Sequence, residues 1–228
     1  GMLWASGEAE SGETGGMEEA VTGFSVGASS VGSSSYSKLT IWSGFIGEQL
    51  DLDVIPEGTA GSVANVQLVQ AGEVEMGSTM TNIALEAWEG SERFGGLKHD
   101  RVRAVLTLDK FALQFYTPVD SGIRSVQDLE GRHISLSRAG SGTDTWGRRA
   151  FDIMGVELGR ISNVSPGEAN DLIRDGALDA GGAMGSAHPS IIELNATDDI
   201  FVFGVGDGID AVMEEYPDLF RVTLDDTY

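Results

Sequence analysis

Apolar positions along this chain follow two alternating rhythms. Short runs rich in Val, Ile and Phe predict strands. Between them, apolar residues recur every three or four positions and predict amphipathic helices. "FSVGA" (24–28) reads as a strand and "SKLTIWSGFIGEQL" (37–50) as a helix, with Leu39, Trp42, Phe45, Ile46 and Leu50 at helical spacing. "LDVIPEG" (52–58) is a second strand, and "GSVANVQLVQAGE" (61–73) a helix with Val63, Val66 and Val69 on one face. "VEMGSTM" (74–80) is a strand and "TNIALEAWEG" (81–90) a helix, with Asn82 as its cap and Gly90 as its stop. "VRAVLTL" (102–108) and "FALQFYTP" (111–118) read as strands.

A second series follows. It predicts a short helix at 125–131, a strand at 133–137 and a helix at 142–155 with Trp146, Ala150, Phe151 and Met154 inward. A strand at 161–166, a helix at 168–176, a strand at 178–184 and a helix at 188–196 come next, with Pro189 in the first turn. A strand at 200–206 and a helix at 207–217 end the pattern. Such alternation predicts an α/β protein with mostly parallel sheets. Loops of small residues recur directly after strands, in "GASSVGSSS", "EGTAGS", "GSTMTN", "SRAGSGT" and "GGAMGS". Ligands of open α/β sheets sit beyond the carboxyl ends of strands. Loops of this kind in two series predict two lobes facing one cleft.

Composition narrows the function. The 228 residues carry 36 acidic and 14 basic side chains, a formal charge of −22. A chain so acidic repels nucleic acid and anionic membranes, so neither is an expected partner. There is no Cys, which excludes disulfides, thiolate catalysis and Cys-ligated zinc. No apolar run is long enough to span a membrane. The first 23 residues are polar, acidic and Gly-rich after a short "MLWA". They read as a flexible leader, or as the tail end of an export signal that lacks its basic region.

The candidate chemistry lies in the loops. "SRAGSGTDTWGRRAF" (137–151) leads small residues into a helix N-terminus, where Gly140, Ser141, Gly142 and Thr143 offer N–H groups and hydroxyls to an anion. Arg138 can add a charge-assisted contact. The other reading is an ordinary capped turn with Arg138 exposed. No Lys follows Lys110, so a phosphate-binding Walker loop is excluded. "SSVGSSSY" (29–36) is either a polar wall or a capping Ser run, and "GTAGSVAN" (58–65) either a second anion turn or an N-cap at Ser62. Thr81 and Asn82 either point into a cleft or cap a helix. His99, His133 and His188 lack metal-ligand spacing and read as structural. Trp42, Trp88 and Trp146 read as core residues. No nucleophile or acid–base pair stands out, so no catalytic residue, metal or cofactor is expected.

Four segments together resemble the TAXI family of solute-binding proteins, extracytoplasmic receptors of tripartite ATP-independent periplasmic (TRAP) transporters. They are "GASSVGSSSY", "VIPEGTAGSVANVQLVQAGEVEMG", "DSGIRSVQDLEGRHISLSRAGSGTDTWGRRAFDIMG" and "LIRDGALDAGGAMGSAHPSIIELNA". The resemblance runs from Phe24 to Tyr228. It implies a two-lobed periplasmic-binding-protein fold of type II-like form, with mixed sheets flanked by helices, closing on its ligand by hinge motion. It also implies a periplasmic, monomeric receptor that does no chemistry. Such a receptor captures a small organic anion (glutamate-like, a dicarboxylate or an oxo-acid) and delivers it to a membrane permease. Other functions on this scaffold are an enzyme and a permease-independent sensor or scavenger.

Carried over residue by residue, the ligand site comprises Ser33, Ser34 and Tyr36; Thr59, Gly61 and Ser62; and Gly140, Ser141, Gly142 and Thr143, with Arg138 beside them. Where many members have Gln-Ser-Asp, this chain has Met80, Thr81 and Asn82, a more apolar wall. Family members also continue beyond Tyr228, so the first lobe is expected to be incomplete at its C-terminal end. The expected divisions are a leader over 1–23, a first lobe over 24–112, a second over 113–203, and a return toward the first over 204–228.

Overall fold

The computed structural model describes residues 21–108, 110–185, 187–217, 219 and 221–223. The expected leader therefore lies outside the described residues as far as residue 20. In the first lobe, β1 (Gly23–Gly27), β2 (Asp53–Glu57) and β3 (Met76–Gly77) form a parallel sheet in the order β2-β1-β3. It is served by α1 (Ser34–Leu50), α2 (Ser62–Ala71) and α3 (Thr81–Glu89). The latter two helices end at left-handed Gly72 and Gly90, as the glycine pattern predicts. One core cluster joins Val26, Ala28 and Leu39; another joins Val66, Ile83, Ala87 and Phe94.

The second lobe holds the larger sheet. Its strands are β4 (Leu113–Pro118), β5 (His133–Ser135), β6 (Arg160–Ser162), β7 (Ala180–Met184) and β8 (Ile200–Phe203), in the order β6-β5-β7-β4-β8. β5 is parallel to β6 and β7, whereas β4 runs antiparallel to β7 and β8, so the sheet is mixed. Side chains alternate across a strand. Phe115 accordingly enters a cluster with Ile134, Leu136 and Phe151 of α4 (Gly142–Met154). Its neighbour Tyr116 enters another with Ile173 of α5 (Pro166–Arg174) and Leu194 of α6 (Pro189–Asn195). The last helix, α7 (Ile209–Glu215), lies against α4, with the Tyr216 ring edge-on to Trp146 at 5.0 Å.

Several expectations change. Residues 102–108 form no strand, and Val105 and Leu106 stay exposed, because an alternating apolar run becomes a strand only when a neighbouring edge pairs with it. β3 is cut to two residues, and the predicted helix at 125–131 is a single 3-10 turn, Gln127–Leu129. Phe45 and Leu50, placed on the helical face by spacing, are each 60% exposed. At roughly 1.5 Å per helical residue and 3.3 Å per strand residue, α1 outreaches the strands beneath it, so its last turns find no sheet to cover. Trp88 is half-exposed under Arg103, not in the core, whereas Trp146 is buried.

Candidate functional site

Helices α1 and α4 each begin at a serine in extended conformation. Ser33 Oγ accepts from Tyr36 N at 3.2 Å, and Ser141 Oγ accepts from Asp144 N at 3.2 Å. Helices α2 and α3 begin at Gly61 and Met80 with no side-chain cap, which corrects the caps expected at Ser62 and Asn82. The starts of all four helices line one cavity of about 410 Å³ between the lobes. Unpaired first-turn N–H groups and the positive ends of helix dipoles favour a bound anion. A space of this size is in the range of small-molecule sites.

The sequence-predicted residues divide into two groups. Ser33, Gly61 and Ser62 face the cavity, as do Met80 and Thr81 and the α4 turn Ser141, Gly142 and Thr143. The others stand behind that surface. Thr59 Oγ1 donates to Asn65 Oδ1 at 2.6 Å and accepts from Gly61 N at 3.1 Å, so it shapes the turn before α2. Tyr36 packs against the first lobe's core. Gly140 N donates to Asp144 Oδ2 at 3.0 Å, and its carbonyl accepts from Val63 N across the cleft at 3.3 Å. Asn82 Oδ1 accepts from Trp146 Nε1 at 3.3 Å, a second bond between lobes. Arg138 is exposed and does not line the cavity.

Two glycines mark where the lobes meet. Gly61 has φ +108°, and a Cβ there would sit 3.2 Å from the Ser141 Cα. Gly185 has φ +142°, and a Cβ there would lie 2.7 Å from the Cβ of buried Ser34. Both positions have a backbone that favours glycine; at Gly185 a side chain would also clash outright, and at Gly61 it would be tight against the Ser141 backbone. An ion pair adds to the junction: Arg149 of α4 binds Glu86 of α3, which also accepts from Arg93 Nε at 2.8 Å. Burial opposes ionisation of Glu86, yet the hydrogen bonds from Arg149 and Arg93 hold its carboxyl below the ordinary value. The Arg149 guanidinium also lies 5.2 Å from the ring centroids of both Trp146 and Tyr216.

Sequence reading missed several lining residues. Lys38 lines the cavity from α1, with Nζ 5.1 Å from the centroid of the Phe111 ring. It lies one helical turn after Ser35, which lines the same cavity, so the i, i+3 spacing from the serine run carried the signal. His188, read as structural, is buried and lines the cavity from the second lobe, with Nδ1 2.9 Å from Ser190 Oγ. Burial first, and then the charge of Lys38, pushes its pKa down to about 4, so the ring is neutral at pH 7. Asn65 is fully buried and donates to the carbonyls of Ala28 and Ser78 at 2.9 and 2.7 Å, fixing the loops after β1 and β3 that form the floor. Among the described residues, no group of three or more His, Asp or Glu is placed to hold a metal.

The model of the NMT1-like family matches residues 23–228. Among solved structures, the alkanesulfonate-binding protein SsuA from Xanthomonas axonopodis pv. citri, bound to MOPS, is similar at TM-score 0.54 and 14% identity. The match covers 82% of this chain and 62% of that one, so the chain spans less than two thirds of SsuA's length. An ancestral arginine-binding protein bound to arginine matches at TM-score 0.57 and 13% identity, over 86% of this chain and 93% of that one. The GluR0 ligand-binding core in complex with L-glutamate matches at TM-score 0.50 and 15% identity, over 79% and 78%. At such identities the likeness is one of fold: the two-lobed periplasmic-binding-protein architecture.

Proposed function

The chain belongs to the NMT1-like family, and on that premise we propose that it is an extracytoplasmic solute-binding receptor of the TAXI type. It captures a small organic anion between its lobes and delivers it to a TRAP-type membrane permease. The observation that carries this reading is the cavity between the lobes, onto which four helix N-termini converge. Hydroxyls of Ser33, Ser62, Thr81, Ser141 and Thr143 surround the anion, and Gly61 and Gly142 let the backbone approach it. Binding without chemistry fits a wall that carries hydroxyls together with Lys38, Glu75, Arg103 and the neutral imidazole of His188. Among the described residues, no helix is long and apolar enough to cross a membrane, which accords with delivery to a separate permease.

Thermal-shift screening of the purified chain against dicarboxylates, oxo-acids, monocarboxylates, sulfonates and amino acids tests the proposal. A ligand at about a hundred times its Kd stabilises the native state by about 2.7 kcal/mol. For a chain of this size that raises Tm by about 5–10 °C. A shift with one chemical class is the expected result. Turnover of a stabilising ligand would replace the receptor reading with an enzymatic one.

A further inference from the structure

A polar side chain enclosed at a cavity wall is satisfied by the protein or by what enters the cavity. Ser33 and Ser141 use an acceptor site of their hydroxyls on the backbone N–H groups of Tyr36 and Asp144. Three other lining hydroxyls are placed differently. Ser62, Ser137 and Thr143 are only 8%, 9% and 7% exposed, and their side-chain oxygens have no hydrogen-bond partner among the described residues. They converge on one corner. Ser62 opens α2, and both of its chain neighbours touch the turn before α4. A Cβ on Gly61 would sit 3.2 Å from the Ser141 Cα, and Val63 N donates to the Gly140 carbonyl at 3.3 Å. Thr143 lies in the first turn of α4. A Cβ on Gly182 of β7 would stand 3.3 Å from its Cγ2 and 3.2 Å from the carbonyl of Ser135, two residues before Ser137. α2 has neither a side-chain cap nor an acidic residue in its first turn, so its positive end faces this corner. The Asp144 carboxylate of α4 is held by Gly140 N, Arg148 and Asn163 and does not line the cavity.

Ser137 is the member of this group that sequence reading passed over. Its φ is +62°, in the left-handed region that glycine adopts readily and other residues avoid. The backbone is pinned there from both sides: Ser137 N donates to Ser135 Oγ at 3.2 Å, and its carbonyl accepts from Asn163 Nδ2 at 2.9 Å. Glycine would meet the same backbone demand without strain, yet the chain carries a hydroxyl at this point of the wall. Strain of this kind persists at sites where the side chain itself is used. We propose that Ser137 is a specificity-determining residue. Its hydroxyl, with those of Ser62 and Thr143, grips the oxyanion of the organic acid where α2 meets α4. Ser62 belongs to the first lobe and the other two to the second, so one head group ties the lobes together. The proposal rests on the receptor reading above and assigns the charged end of the ligand to this corner.

Calorimetry on the full chain tests it, with butanoate, pentanedioate, 2-oxopentanedioate, L-glutamate and hexane-1-sulfonate as probes. Thermal melts of each variant without a probe accompany the titrations. Ser137→Gly is expected to melt about 2 °C higher than the unaltered chain, because the left-handed strain is gone. It is nevertheless expected to bind every probe that the unaltered chain binds about tenfold more weakly or worse. Ser137→Ala keeps the strain, so it is expected to lose the same affinity with no gain in Tm. Ser62→Ala and Thr143→Val, each shown to be folded, are expected to weaken binding by about tenfold or more. A serine with a structural role alone gives a different pairing: Ser137→Gly leaves affinity unchanged, or lowers Tm and affinity together. Either result overturns the role of Ser137. Unaltered binding by folded Ser62→Ala and Thr143→Val overturns the three-hydroxyl grip and leaves the receptor reading standing. Silence of the folded, unaltered chain toward every probe overturns both.

Discussion

At the residue scale, His188 shows how a buried polar group ties the site to stability. Its imidazole is held neutral by burial and by Lys38, with its pKa lowered to about 4 from 6.5. The unfolded chain protonates this ring as pH falls through 6.5, and the folded chain resists until about 4. Across that window the unfolded state binds more protons, so stability is lost as pH falls. The shift corresponds to roughly 3 kcal/mol at most. Urea unfolding at pH 7 and pH 4.5 is expected to show a loss of that order on acidification, and His188→Gln is expected to flatten it. An equal loss in the variant assigns the acid sensitivity to other groups. Nothing in the local sequence reveals this neighbourhood, because Lys38 and His188 come from different lobes and meet only through the tertiary fold.

At the element scale, strand–helix alternation and glycine stops were legible because they are local. Gly72 and Gly90 each end a helix in the left-handed region, as their place after the last periodic residue predicts, and Gly155, expected inside its helix, ends α4 in the same way. The start of α4 was legible for the same reason, since Ser141 precedes a run that fits a helix, whereas α1 begins at Ser34, three residues before the expected start, because the serine run itself joins the helix after the cap at Ser33. Residues 102–108 were misread because an alternating run states only what a strand would need, and pairing is decided by distant chain. The hydrogen bond between Asn82 and Trp146 escaped for the same reason: the two are 64 positions apart. The α3–α4 junction carries its own prediction. Glu86→Gln removes the ionic partner of Arg149 at the meeting of the lobes, and partly exposed pairs of this kind contribute about 0.2–1 kcal/mol. Ligand affinity is expected to fall up to about fivefold. A double-mutant cycle with Arg149→Gln checks this, and additive effects would remove the pair from the energetics of closure.

At the scale of the whole molecule, two sheets of different size face each other across the cavity. The α/β two-lobed architecture was legible from the doubled series of strands, helices and small-residue loops. Neither strand order nor the antiparallel placement of β4 could be read from periodicity, since both arise from how the chain returns through the second lobe. The cavity itself was half legible. Its helix N-termini could be located from small-residue turns, but its charge could not: the turn pointed to Arg138, while the charged side chains that line it, among the described residues, are Lys38, Glu75 and Arg103. The central claim is that the lobes close on an organic acid. With no Cys in the chain, thiols introduced as Glu89→Cys and Glu168→Cys, both exposed and one in each lobe, take spin labels uniquely. Double electron–electron resonance between them, with and without the acid that stabilises the protein most, tests the claim directly. The account predicts a broad distance distribution that shortens and narrows on saturation. An identical distribution at a ligand concentration shown by calorimetry to fill the site would contradict it.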